Sequence, residues 1–126
     1  VCATSPNLAV STCSSSQNPP FRLPAFITMS GETKNSAGLK LYTKKWLPSG
    51  TPTAVVFIIH GAGEYCERYQ EVVEKMNAKG YAVFSHDHQG HGKSEGVRQH
   101  VGLFSDYTDD CLQYIRETLE ANPTMT

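Results

Sequence analysis

The sequence lacks what would take a chain out of water or bring it to a polyanion. Its longest unbroken apolar run is residues 54–59, far short of the roughly 20 residues of a membrane-crossing helix, so no span is predicted. There is no basic run, and eleven Lys plus Arg against twelve Asp plus Glu leave a formal charge of −1. The electrostatic footprint of nucleic-acid binding is therefore missing, and no nucleic-acid partner is expected. Cysteine is sparse as well: the four stand at positions 2, 13, 66 and 111, without the close pairs of zinc or redox motifs. A disulfide framework is not expected, and Cys66 and Cys111 read as small buried apolar residues of a reducing compartment. No Asn-x-Ser/Thr acceptor without Pro occurs, which also favours the cytoplasm.

The amino end lacks charge. Residues 1–21 carry none and are rich in Ser, Thr, Asn and Pro, a composition that cannot build a core. Neither the basic start nor the apolar run of a signal peptide is present. Because Met29 is the first methionine, residues 1–28 are read as a disordered or non-native leader and residues 29–126 as a partial α/β domain. With 39% hydrophobic and 18% charged residues, the whole falls in the ordinary globular range.

What is present is a strand and helix pattern. Residues 26–30 and 39–47 read as two strands joined by the polar turn 34–38, hence a hairpin. Alternation of Leu39, Leu41, Thr43 and Lys45 with Lys40, Tyr42, Lys44 and Trp46 suits a strand near a sheet edge. The β-branched and aromatic run 54–59 predicts a central parallel strand covered on both faces. A helix over 67–79 follows, with Tyr69, Val72, Val73 and Met76 on one face and Gly80 as its stop, and then a strand over 81–85. Together these form a βαβ unit. Asp106 is the predicted N-cap of a second helix whose stripe is Tyr107, Cys111, Tyr114, Ile115 and Leu119, ended by Asn122 and Pro123.

Two loops leave the carboxyl ends of the parallel strands, where open α/β sheets hold ligands. The first is H-G-A-G-E, His60 to Glu64, in which two glycines flanking Ala62 let a backbone N–H face an incoming group, as an oxyanion hole requires. A plain strand-to-helix turn has the same spelling. The second is H-D-H-Q-G-H-G-K-S-E-G, residues 86–96, a tight turn of glycines and short polar side chains. Within it Gly92 to Gly96 spells G-x-S-x-G. That tract follows a loop and is not followed directly by a helix, so Ser94 is not expected to be a nucleophile. His86, His88 and His91 superficially resemble a dinuclear zinc loop, but Gly90 stands where an aspartate ligand belongs. They are read as loop-packing histidines, with no metal and no cofactor expected.

H-G-A-G-E followed by Arg68 and Tyr69, and then H-D-H-Q-G-H-G-K-S-E-G after the next strand, are similar in order and spacing to the serine hydrolases of the α/β-hydrolase fold, within them the monoacylglycerol lipase group. The likeness runs from about Leu39 to Pro123. It implies an α/β-hydrolase sheet, hairpin then parallel βαβ, reaching position 126 before the nucleophile elbow. It also implies an oxyanion donor at the Ala62 N–H, and a polar substrate end near Glu64 and Arg68, with His60, Gly61 and Gly63 beside it. N-S-A-G-L-K-L-Y over 35–42 and Trp46-Leu47-Pro48 also resemble plant-type lysophospholipases and phenolic-ester esterases. Tyr65 departs from the lipase pattern, which has a second His there.

The expected function is thus part of a serine ester hydrolase acting on monoacylglycerol or lysophospholipid-like lipid esters, without nucleophile, acid or base in residues 1–126 and inactive alone. The alternatives are a non-enzymatic binding or regulatory fragment and a zinc-dependent hydrolase built on His86, His88 and His91. The strand over 55–59, short of one neighbour, is expected to drive self-association. Localisation is expected to be cytoplasmic, with peripheral membrane contact through parts outside these residues.

Overall fold

The computed structural model describes residues 26–125; residues 1–25 of the expected leader lie outside them. The elements are β1 (Ile27–Lys34), β2 (Lys40–Leu47), β3 (Ala54–Ile58), a 3-10 turn (Cys66–Tyr69) running into α1 (Gln70–Ala78), β4 (Tyr81–His86) and α2 (Phe104–Ala121). The four strands form one mixed sheet in the order β1-β2-β4-β3. β1 and β2 pair antiparallel, as do β2 and β4, whereas β3 and β4 are parallel, with Phe57 opposite Phe84.

The hairpin forms as expected, but β1 runs four residues past Ser30, to Lys34. Asn35 explains the extension: its buried side-chain oxygen accepts the Ala37 and Leu39 N–H groups at 3.1 and 3.0 Å. That compact turn keeps Lys34 opposite Lys40, and backbone pairing overrides the weak strand preference of Gly31 and Glu32.

Both faces of the sheet are covered. On one face Trp46 and Val83 pack with Cys66 and Val73, joined by half-buried Val56, Ile58 and Met76. On the other, Ala82 and Phe84 pack with Tyr114 of α2, joined by Val55 and Phe57. Alternate residues of β3 and β4 thus serve opposite cores, which is why these strands read as unbroken apolar runs.

Two local expectations are corrected. The first turn of the helix predicted over 67–79 is wound as 3-10, so α1 proper begins at Gln70; the Cys66 N–H is held by Asp87 at 2.7 Å, tying this turn to the end of β4. Asp106 is not the N-cap of α2. The helix starts three residues earlier, Leu103 is the N-cap, and the Asp106 carboxylate reaches back to the Leu103 N–H at 3.0 Å, as an acidic N3 residue does. Among the described strands β3 has β4 as its one neighbour, as expected of a strand short of its second. It lies at the sheet's edge, half-buried throughout, with Ile59 just beyond it 52% exposed.

Candidate active site

The two loops that follow β3 and β4 lie side by side because their strands are parallel neighbours. In the first, the buried His60 is locked into one tautomer. Its Nε2 accepts the His88 N–H at 3.0 Å, so its Nδ1 carries the proton and donates to the Gly61 carbonyl at 2.8 Å. Burial lowers its pKa, and the ring is a neutral strut. Glu64 knits the rest: its carboxylate accepts the Tyr69 hydroxyl at 2.6 Å and the Gly61 N–H at 3.2 Å, and pairs with Arg68 at 3.3 Å. The Tyr69 bond, then the Gly61 bond, hold that carboxyl below its ordinary value. Among the described residues no hydrogen bond takes up the Ala62 N–H, and Ala62 is exposed.

The second loop is bonded through and through. The Asp87 carboxylate, 1% exposed, accepts the Cys66 N–H at 2.7 Å and the Lys93 N–H at 2.8 Å. Gly92, at φ +47°, presses against that carboxylate where a Cβ would collide with it. Ser94 is 2% exposed; its hydroxyl donates to the Asp87 carbonyl at 2.6 Å and accepts the Tyr42 N–H at 2.8 Å. Its donor and acceptor functions are spent on holding the turn, which agrees with reading the G-K-S-E-G spelling as structural. Lys93 reaches Glu67 at 3.1 Å, and Lys44 reaches the same carboxylate at 2.6 Å. With Lys44 first and Lys93 second, these bonds bring the Glu67 pKa down to about 2.

Between the first loop and α2 runs an apolar groove of about 540 Å³, lined by Ile59, His60, Gly61 and Ala62 on one wall and by Phe104, Tyr107, Cys111, Leu112 and Ile115 on the other, with His88 and His91 on its floor. The structure therefore brings His60, Gly61 and Ala62 together at the groove. Gly63 and Glu64 instead line a smaller cavity of about 380 Å³ with His91 and Arg98. Arg68 lines neither cavity and is paired with Glu64.

The residue that sequence reasoning missed is Cys111. One donor atom each from His86, His88 and Cys111 lies within 4.8 Å of the other two, and all three residues are buried. His91 stands outside this cluster with Nδ1 donating to the Gln89 carbonyl at 3.0 Å. Burial, reinforced by the neighbouring histidines, pushes His86 down to about 3 and His88 to about 4, so both rings are neutral. Burial raises the Cys111 thiol to about 11. The signal that could have found Cys111 was the stripe Tyr107, Cys111, Tyr114, which lays it over the end of β4.

Residues 50–126 match the family model described as serine aminopeptidase, S33. The chain is 43% identical over 89 residues to monoglyceride lipase of Rattus norvegicus, covering 71% of this chain and 29% of that protein. It is 46% identical over 81 residues to monoglyceride lipase of Mus musculus, covering 64% and 27%. The chain thus spans less than a third of the length of these relatives. A soluble variant of monoglyceride lipase from Saccharomyces cerevisiae, solved with a substrate analog, superposes with a TM-score of 0.70 at 20% identity over 83% of this chain and 34% of that one. A thermostable carboxyl esterase from Bacillus coagulans, solved with glycerol, superposes at 0.68 and 22% identity over 76% and 33%. With two of its four described strands and both loops inside the matched segment, this chain belongs to the serine aminopeptidase S33 family and has the α/β-hydrolase fold.

Proposed function

We propose that this chain is the amino-terminal part of a serine carboxylic-ester hydrolase acting on monoacylglycerol or lysophospholipid-like esters, and that its contribution to catalysis is the Ala62 N–H. One observation carries the reading: this exposed donor has no hydrogen-bond partner among the described residues, while both flanking groups, His60 and the Gly61 N–H, are already engaged. A rigid donor left open is what stabilises an oxyanion, because it needs no reorganisation as charge develops. The names of the curated relatives support the ester class.

In this reading the nucleophilic Ser, the His that takes and returns its proton, and the Asp that orients the His come from sequence outside residues 1–126. The open edge of β3 pairs with the strand that carries the Ser, and the apolar groove packs against the helix that follows it. The Ser then attacks the ester carbonyl beside Ala62, and the carbonyl oxygen takes negative charge against the Ala62 N–H. Glu64, Arg68 and Gly63 face the polar end of the substrate. Without that neighbour the edge of β3 pairs with other copies of the chain, and the chain acts in the cytoplasm.

The test uses the 126-residue chain and a longer polypeptide in which it continues into a strand and a G-x-S-x-G tract. The chain alone is expected to resist a serine-directed fluorophosphonate and to leave monoacylglycerol intact. The longer polypeptide is expected to label and turn over. In it Ala62→Pro, which deletes the N–H, should lower kcat by about 10²- to 10³-fold. Unchanged kcat in that variant rejects the oxyanion assignment; absence of labelling in the longer polypeptide rejects the hydrolase.

A further inference from the structure

The cluster of His86, His88 and Cys111 has features that loop-packing side chains do not need. We propose that these three residues form a binding site for a zinc-class divalent ion, with the fourth coordination position open toward the apolar groove. His88 carries the argument furthest. Its Nε2 lies 3.0 Å from the His60 carbonyl, an acceptor only, so that nitrogen bears the proton and Nδ1 presents its lone pair. Nδ1 is buried and has no hydrogen-bond partner. An imidazole whose far nitrogen donates to a backbone carbonyl while the near one waits with a free lone pair is oriented as metal-bound histidines are.

His86 repeats the feature, since its Nε2 is also buried without a partner. Among the described side chains only Asn77 Oδ1 shares that condition, so two of the three orphaned atoms belong to residues of one cluster. Buried polar atoms are normally satisfied, and a cation that accepts both lone pairs would satisfy them. Cys111 supplies the third donor from α2, whose ring neighbour Tyr114 packs on His86 with centroids 5.2 Å apart. The donors are within 4.8 Å of one another. Tetrahedral zinc with bonds of about 2.0 Å to nitrogen and 2.3 Å to sulfur sets donor separations of about 3.3 to 3.6 Å, so the side chains close by about 1 Å on binding. On binding, the thiol S–H breaks, its proton passes to solvent and a thiolate–metal bond forms. The net positive charge left in the site is offset by Asp87 and Asp110, whose carboxylates act electrostatically on His86 and Cys111. Two imidazoles and one thiolate are donors of the borderline-soft class that suits zinc. This inference revises the expectation of no metal, and it does not depend on the ester-hydrolase reading.

The full chain carrying Cys2→Ser and Cys13→Ser is stripped with chelator and dialysed against zinc, or against cobalt as a spectroscopic stand-in. About one equivalent of zinc should be retained, and the cobalt form should show a thiolate-to-metal charge-transfer band with intense tetrahedral visible bands. Cys111→Ser and His86→Gln should abolish both readouts, whereas His91→Gln and Cys66→Ser should keep them. No stoichiometric zinc in the parent chain, a cobalt spectrum without the sulfur band, or full retention in Cys111→Ser overturns the proposal. The parent chain's own spectrum decides the matter even where a variant fails to fold.

Discussion

The two loops at the carboxyl ends of β3 and β4 start from neighbouring parallel strands, and both are rich in glycine and histidine, yet they are built for opposite ends. The turn over residues 86–96 turns inward: Asp87, His88, His91 and Ser94 are buried, and the carboxylate and hydroxyl at its centre each hold two hydrogen-bond partners. The loop over residues 60–64 turns outward, with Gly61, Ala62 and Gly63 exposed. The difference teaches that a scaffold can hold an exposed, glycine-rich loop still from below. His60 is pinned by the His88 N–H, and the turn containing Cys66 is pinned by Asp87, so the second loop supplies the rigidity that the first needs to leave a donor open.

The largest break in that comparison should come from adding one methyl group to each loop. Gly92→Ala puts a Cβ onto the buried Asp87 carboxylate at a positive φ. The carboxylate must leave its two N–H partners, a loss on the order of 3 kcal/mol or more. Gly63→Ala, also at positive φ (+77°) but with nothing within 4 Å of the new atom, should lose only about 1 kcal/mol from backbone strain. Urea unfolding of the two variants measures the contrast. Equal losses would mean that the loops are not organised differently.

A smaller effect is expected from Ser94→Ala. Removing the hydroxyl strands the half-buried Tyr42 N–H and the buried Asp87 carbonyl, at about 2 kcal/mol, again read by urea unfolding. In the longer polypeptide that turns over ester, the variant should keep its fluorophosphonate labelling. Loss of labelling without loss of stability would make Ser94 a participant in the chemistry.

The smallest effect concerns Glu67, which links the regions through Lys93 of the second loop and Lys44 of β2. Its folded pKa, near 2, is below the ordinary 4.5. The paired carboxylate therefore stabilises the fold above about pH 4.5, and that contribution fades as pH falls through this range toward 2. Because the carboxylate is partly exposed, Glu67→Gln should change stability at neutral pH by less than about 1 kcal/mol. It should also flatten the pH dependence of the unfolding midpoint between these values; an unchanged slope would assign the acid sensitivity to other carboxyls.

Much of the frame was legible because it rests on local pattern. The runs over 54–59 and 81–85 are strands because β-branched and aromatic residues fit a pleated surface covered on both sides. The hairpin, the two helices and the glycine-bearing loops followed from periodicity and turn chemistry. Boundaries slipped where a distant partner intervened. Asn35 lengthened β1 by ordering its turn, Asp87 drew Cys66 into a 3-10 turn, and Asp106 capped from the third helical position instead of from the N-cap.

The site divides along the same line. Residue order alone singled out Ala62 between two glycines and identified Ser94 as part of a turn, because both inferences depend only on what adjacent residues allow the backbone to do. Packing decided the rest: that Glu64 and Arg68 pair with each other, that Gly63 and Glu64 line a cavity apart from the groove, and that the donor nearest His86 and His88 is Cys111, not His91. The last of these depends on how α2 lies against the sheet, since side chains 23 or more residues apart meet only when helix and strand bury a common apolar face.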